Sequence, residues 1–247
     1  MKRRRQETGN RRQAKPFVCW LLAPVALLLA ITPALAGRPL TTEDASVLGD
    51  KACQLEAWVD RASETTQAWL VPACNFGLGI EWQVGFSRAW EGGRSYLPES
   101  YAQAKGLFRE MSDESPWGVG WVVGVVRQPT NETYRGWENP YVLLPVSVTS
   151  GDFTLHVQPG WSRERESGSD RFVWGIAGEY AANERLALVA ETFGVDREKP
   201  FVRAGLRWSA IKDRLDFDLT YVTRPGGTRE ERLVSLGLAW QSGAFLP

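Results

Sequence analysis

The strongest constraint on this chain is a two-residue alternation in which one face accepts charge and the other never does. Leu78, Ile80, Trp82, Val84 and Phe86 alternate with Gly79, Glu81, Gln83, Gly85 and Ser87. Val202, Ala204, Leu206 and Trp208 alternate in the same way with Arg203, Gly205, Arg207 and Ser209, and Leu215, Phe217, Leu219 and Tyr221 with Asp216, Asp218 and Thr220. A period of two sends successive side chains to opposite faces of a strand. No segment after Gly37 sustains a period of 3.6, so the expected fold is all-β.

Twelve strands are expected, over about 53–61, 65–74, 78–88, 99–109, 117–127, 140–149, 152–162, 171–181, 185–193, 200–210, 214–223 and 231–241. The connections between them alternate in length. Those at 75–77, 110–116, 150–151, 182–184 and 211–213 are mostly tight, whereas 89–98, 128–139, 163–170, 194–199 and 224–230 are longer and polar. A short first connection, Ala62 to Glu64, is the exception. An even strand number, with tight turns at one end and longer loops at the other, is the pattern of an antiparallel transmembrane β-barrel in a bacterial outer membrane. Trp90, Trp117, Trp137, Trp161 and Trp240 fall at strand ends or beside loops, where interfacial girdles use aromatic rings. A soluble sandwich or lipocalin-like cup would turn its apolar face inward instead.

The N-terminus fits export. MKRRRQETGNRRQAK is followed by the apolar run Phe17 to Ala30 and by Ala34-Leu35-Ala36, so residues 1–36 read as a signal peptide cleaved after Ala36. Its loss removes seven Lys or Arg and one acidic residue, which leaves 22 basic against 28 acidic side chains and a net charge of −6. An acidic chain without a basic run is not expected to bind nucleic acid. Residues 37–52 form a polar lead on the periplasmic side, free to stay loose or to enter the barrel mouth as a plug, and 53–247 form the barrel.

Cys19 departs with the signal, leaving Cys53 and Cys74 as an even pair in an oxidising compartment. Pairing the first two strands about Ser63 and Glu64 sets these cysteines opposite one another, so a cross-strand disulfide is expected at the periplasmic end.

The inward set includes Glu56, Glu81, Gln83, Lys105, His156, Gln158, Arg171, Glu179, Glu191, Arg203, Arg207, Asp216 and Asp218, and all of these but Glu56 and Arg171 are taken as pore-lining. A turn at Lys212 and Asp213 sets Arg207 across from Asp218, and the preceding hairpin sets Glu191 near Arg203. Such a ladder of ion pairs either fills the lumen or selects permeants. His156, the one histidine, shares its face with Thr154 and Gln158. A general base in a lipid hydrolase would need a serine nearby, none lies two residues away on that face, and a hydrogen-bonding role is expected. Gly118, Gly120 and Gly124 have the wrong spacing for a nucleotide loop and read as small lumenal positions. Asn131-Glu132-Thr133 marks a polar loop. No catalytic residue, metal site or cofactor is expected.

The runs Arg38 to Ala45, RPLTTEDA, and Cys53 to Trp58, CQLEAW, resemble the mature N-terminus of the bacterial outer-membrane family named for the MetA pathway of phenol degradation. The resemblance covers about a tenth of the chain. It implies a porin-like or transporter-like barrel for small, often hydrophobic or aromatic compounds, without catalytic residues. The expected function is therefore a channel or uptake barrel for small molecules, with outer-membrane lipid, a permeant and the outer-membrane assembly machinery as partners. A closed structural or surface-interaction barrel and an outer-membrane lipid hydrolase are the alternatives. The last strand either ends near Trp240 or runs on to Phe245, where an aromatic residue would serve the assembly machinery.

Overall fold

A computed structural model describes residues 38–112, 114–129 and 136–246. The expected signal peptide and the Asn131-Glu132-Thr133 loop lie outside these residues. Fourteen strands follow one another: β1 (Cys53–Arg61), β2 (Thr66–Asn75), β3 (Ile80–Glu91), β4 (Arg94–Tyr96), β5 (Ser100–Arg109), β6 (Trp117–Arg127), β7 (Trp137–Leu143), β8 (Val146–Ser150), β9 (Phe153–Glu164), β10 (Ser169–Asn183), β11 (Leu186–Val195), β12 (Phe201–Ile211), β13 (Leu215–Thr223) and β14 (Arg232–Gln241). Pairing is antiparallel throughout, and β14 returns to β1 from Gln54↔Gln241 to Arg61↔Val234, which closes the sheet.

Strand β4 is a short extension of β3, outside the wall. Strands β7 and β8 are two parts of one wall strand, both lying between β6 and β9. The wall is therefore a closed barrel of twelve strands. The interruption falls at Leu144-Pro145, where proline has no N–H for the ladder. Hydrogen bonds from Gly120 N to Pro145 O (2.8 Å) and from Leu144 N to Pro159 O (2.9 Å) carry the wall across the gap.

Several boundaries differ from the sequence reading. The expected strand 140–149 begins at Trp137 and is broken, and that at 171–181 grows to Ser169–Asn183. The polar ends of β9 and β10 continue the ladder as far as Glu164↔Ser169, with Arg163 paired to Asp170 at 3.0 Å, so the loop between them shrinks to 165–168. Strand β14 stops at Gln241. Beyond it the tail folds back, with Ser242 N bonded to Cys53 O (2.8 Å) and Phe245 N to Lys51 O (3.0 Å), so Phe245 is outside the last strand.

The burial pattern is the reverse of a water-soluble core. Outward residues such as Trp82, Phe86, Leu188, Leu219 and Leu236 are 46–61% exposed, while Glu81, Lys105, Glu179, Glu191 and Asp218 are buried inside. An apolar surface continuous around the wall needs a hydrocarbon solvent. Trp90, Trp137 and Trp161 stand on the outside towards the long-loop end, and Trp117 and Trp240 towards the short-turn end. Cys53 and Cys74 are register partners and are joined by a disulfide at the short-turn end. Their parity with Leu55 and Leu70 places the bridge on the outer face of the first hairpin.

Candidate binding chamber in the lumen

The N-terminal segment belongs to the same compact unit as the barrel. It runs through the lumen as turns and bends outside any strand, and its backbone N–H groups meet inward-facing acceptors instead of a neighbouring strand. Arg38 N donates to Glu56 Oε1 (3.0 Å), Thr41 N and Thr42 N to the two oxygens of Glu191 (2.9 and 3.0 Å), Glu43 N to Gln158 (2.6 Å), Ala45 N to Ser147 Oγ (2.9 Å) and Leu48 N to Glu81 Oε2 (2.9 Å). A buried N–H without a partner is costly, so these wall side chains are what allow an unpaired strand to lie there.

Charge fixes the segment further. Arg38 bonds Asp218 and Ser235 (2.7 Å each) and stacks over Trp58 at 4.5 Å. Lys105 stands between two carboxylates of the segment, Glu43 at 3.0 Å and Asp44 closer still. Arg203 pairs with Glu191 at 3.0 Å and also bonds Pro39 O. Backbone approach matters here as well: a Cβ on Gly175 would stand 2.3 Å from Thr42 Oγ1, and one on Gly237 would meet Asp218 and Arg38.

The segment divides the lumen. On its long-loop side is a chamber of about 770 Å³, with Arg38, Thr41, Glu43 and Leu48 in its floor. Of the residues taken as pore-lining, Glu81, Gln83, Lys105, Gln158 and Arg203 face this chamber, as do Glu56 and Arg171. His156, Glu179, Glu191, Arg207, Asp216 and Asp218 do not, because internal partners occupy them. Asp216 borders only a small recess of about 20 Å³ at the short-turn end.

The expected ladder is right in register and keeps the Glu191–Arg203 pair, and it differs in the partner of Arg207. Arg207 sits opposite Asp218 and Glu191 opposite Arg203. Arg207 nevertheless pairs with Glu179, with Asp216 at 3.9 Å, because Arg38 takes Asp218.

His156 does have a serine neighbour, on the adjoining strand where spacing along the chain could not show it. Ser147 Oγ lies 2.7 Å from His156 Nδ1, and Glu179 Oε1 lies 3.6 Å from Nε2. The set resembles a Ser-His-Glu nucleophile in composition only. Ser147 and His156 are 0% exposed and Ser147 Oγ receives the Ala45 N–H. A nucleophile must reach its substrate, whereas this relay holds the N-terminal segment.

The chamber also has an aromatic wall that the sequence reading missed. Trp58 and Trp69, directly opposed on β1 and β2, stack at 5.4 Å, and Tyr101 lies 6.0 Å from Trp69. Tyr101 lies over Gly85 and Tyr141 over Gly124, where a Cβ would come within 2.1 and 2.3 Å of the rings. Gly124, expected as a small lumenal position, thus makes room for a ring. The parity of Trp58 with Glu56, and of Tyr101 with Gln103 and Lys105, was the available signal. Among the described residues no group of three or more His, Cys, Asp or Glu is placed to hold a metal ion.

The chain belongs to the family described as Uncharacterised conserved protein UCP029691, matched over residues 24–239. No curated protein matches it in sequence. Among solved structures it is similar to the KdgM porin, with a TM-score of 0.54 and 8% identity over 76% of this chain and 98% of that one. It is also similar to the NanC porin, with a TM-score of 0.52 and 10% identity over 77% of this chain and 98% of that one. At such identities the likeness is one of fold, that of outer-membrane β-barrels.

Proposed function

We propose that this member of the UCP029691 family is an uptake barrel of a bacterial outer membrane, which receives small molecules from the long-loop side and is stoppered by its own N-terminal segment. One observation carries the reading: a chamber of about 770 Å³ inside an apolar-jacketed barrel, floored by the N-terminal segment. Tight turns at the end shared by Cys53 and Gln241 support assigning that end to the periplasm and the longer loops to the outside. The run Arg38 to Ala45, which carries the resemblance to the MetA-pathway family, is the run that enters the lumen. The aromatic wall suits the hydrophobic or aromatic compounds which that resemblance implies. The partners are then outer-membrane lipid around the wall, a small permeant within it, and the assembly machinery that inserts it.

The test is conductance of the mature chain in planar bilayers, after outer-membrane fractions have shown heat-modifiable migration. Brief openings, made more frequent by loosening the segment, are expected. A barrel that stays silent with and without the segment would instead favour the closed structural reading, which the tightly paired charges on the short-turn side support. The hydrolase reading makes a separate demand, that His156→Ala abolish a lipase signal. With Ser147 and His156 sealed from lipid and lumen, no such signal is expected from the unaltered chain.

A further inference from the structure

The chamber's charges are not equally occupied. Its guanidinium groups are engaged by carboxylates: Arg38 with Asp218 (2.7 Å), Arg203 with Glu191 (3.0 Å), Arg171 with Glu198 (2.7 Å) and Arg163 with Asp170 (3.0 Å). Lys105 is held by Glu43 and Asp44. Four chamber carboxylates, Glu56, Glu81, Asp60 and Glu99, are in no salt bridge among the described residues; Glu56 and Glu81 accept backbone N–H groups of the segment, which leaves Asp60 and Glu99. Asp60 Oδ2 accepts the Trp58 indole N–H at 3.0 Å, while Oδ1 is buried without a donor among the described residues.

Both carboxylates border the aromatic wall. Asp60 lies two residues beyond Trp58 on the same face of β1, and Glu99 two residues before Tyr101. Aromatic faces carry negative π density, and a carboxylate beside them adds a full charge; together they favour a cation that is weakly hydrated and carries apolar bulk. An anion would have to displace an existing arginine pair, and a neutral apolar solute would leave Asp60 Oδ1 unsatisfied.

We propose that the chamber binds small organic cations, amines or quaternary ammonium compounds with an apolar body, against Trp69 and Tyr101 with Asp60 as counter-charge. This assignment rests on the reading of the lumen as a small-molecule chamber, and it names the class that chamber prefers. Uptake and preference are separable: a barrel can conduct without favouring cations, or bind them without conducting.

The experiment titrates the mature full-length chain in detergent micelles by tryptophan fluorescence and calorimetry. The probes are choline, its neutral isostere 3,3-dimethylbutan-1-ol, and the anion 3,3-dimethylbutanoate. Choline is expected to bind at least tenfold more tightly than either. Asp60→Asn is expected to weaken choline at least tenfold while leaving the neutral isostere unchanged, Asp60→Glu to restore most of the affinity, and Trp69→Leu to weaken choline about fivefold. Equal binding of choline and its isostere, or tighter binding of the anion, overturns the assignment in the unaltered chain, without reliance on any variant folding. Choline binding without flux into liposomes would retain the cation site and remove the uptake reading. Flux of neutral solutes with no preference for choline would do the reverse.

Discussion

The two halves of the lumen are built from the same strands, yet one is a chamber and the other is nearly solid. On the long-loop side Trp58, Trp69, Tyr101 and Tyr141 tile the wall, over glycines in two places, and leave about 770 Å³. On the short-turn side Arg207 pairs with Glu179, whose other oxygen stands 3.6 Å from His156 Nε2, beyond hydrogen-bond distance, while His156 Nδ1 bonds Ser147 and Ser147 Oγ receives Ala45 N of the N-terminal segment. Buried charges are tolerated only when paired, so the packed half is specific in the partners it requires. The chamber half, where rings stand among the charges, leaves space and carboxylates without a cation. The segment is the boundary between them, and it is held chiefly by side chains of the wall.

That division is broken most completely by removing the boundary. A chain that lacks residues 38–50 should join the chamber to the short-turn end. The expected outcome in planar bilayers is a change from rare openings to a steady conductance, with unchanged heat-modifiable migration as proof that the barrel still forms. Unchanged silence from a correctly folded deletion chain would show that the short-turn side is closed by the wall itself. The next largest effect is expected from Lys105→Met, which removes the buried cation that both Glu43 and Asp44 contact. Loss of one member of a buried ion pair costs about 3–5 kcal/mol. Limited proteolysis should then cut within residues 38–48 in the variant and spare them in the parent; equal resistance would mean that the backbone bonds to Glu191, Gln158 and Glu81 suffice alone.

How much of this was legible in the sequence follows from which forces are local. Strand positions were readable because each strand shows its two faces within a few residues, and the alternation at Leu78 to Ser87 is sufficient by itself to place β3. The Cys53–Cys74 bridge was readable because a hairpin fixes register across a short connection. The same logic placed Arg207 opposite Asp218, but register determines proximity and not partner choice. Arg38, 180 positions away in the chain, was the competitor that took Asp218. The Ser147 neighbour of His156 and the rings over Gly85 and Gly124 were hidden similarly, since each depends on adjoining strands and not on spacing along one. The role of the segment was the least legible. RPLTTEDA has no strand pattern, and its acceptors are contributed by strands spread around the barrel.

A smaller expected effect sharpens the comparison from outside the lumen. The disulfide lies on the outer face and touches neither half, so its loss should change stability without changing occupancy. Closing a loop of 21 residues is worth about 3 kcal/mol in chain entropy, realised in global unfolding. The double variant Cys53→Ser, Cys74→Ser should therefore unfold at lower urea concentration, with choline affinity and resting conductance as in the parent. A change in either of the latter would mean that the first hairpin helps to shape the chamber.

The smallest effect concerns Glu43, which is on the segment itself and so reports its docking. Burial alone would raise its carboxyl, but the Lys105 charge and the hydrogen bonds from Gln103 and Lys105 outweigh that and hold it below its usual value. Docking therefore favours the ionised form. Its contribution is complete above the ordinary carboxylate range, about pH 4–5, and is lost as pH falls through the lower value of the docked state. Openings of the full chain should accordingly become more frequent below about pH 4. Glu43→Gln should show more openings at neutral pH and a shallower acid response. An identical acid response in that variant would assign the effect to other carboxylates of the lumen, and the segment would then be held by its backbone bonds and by Arg38 rather than by the charge of Glu43.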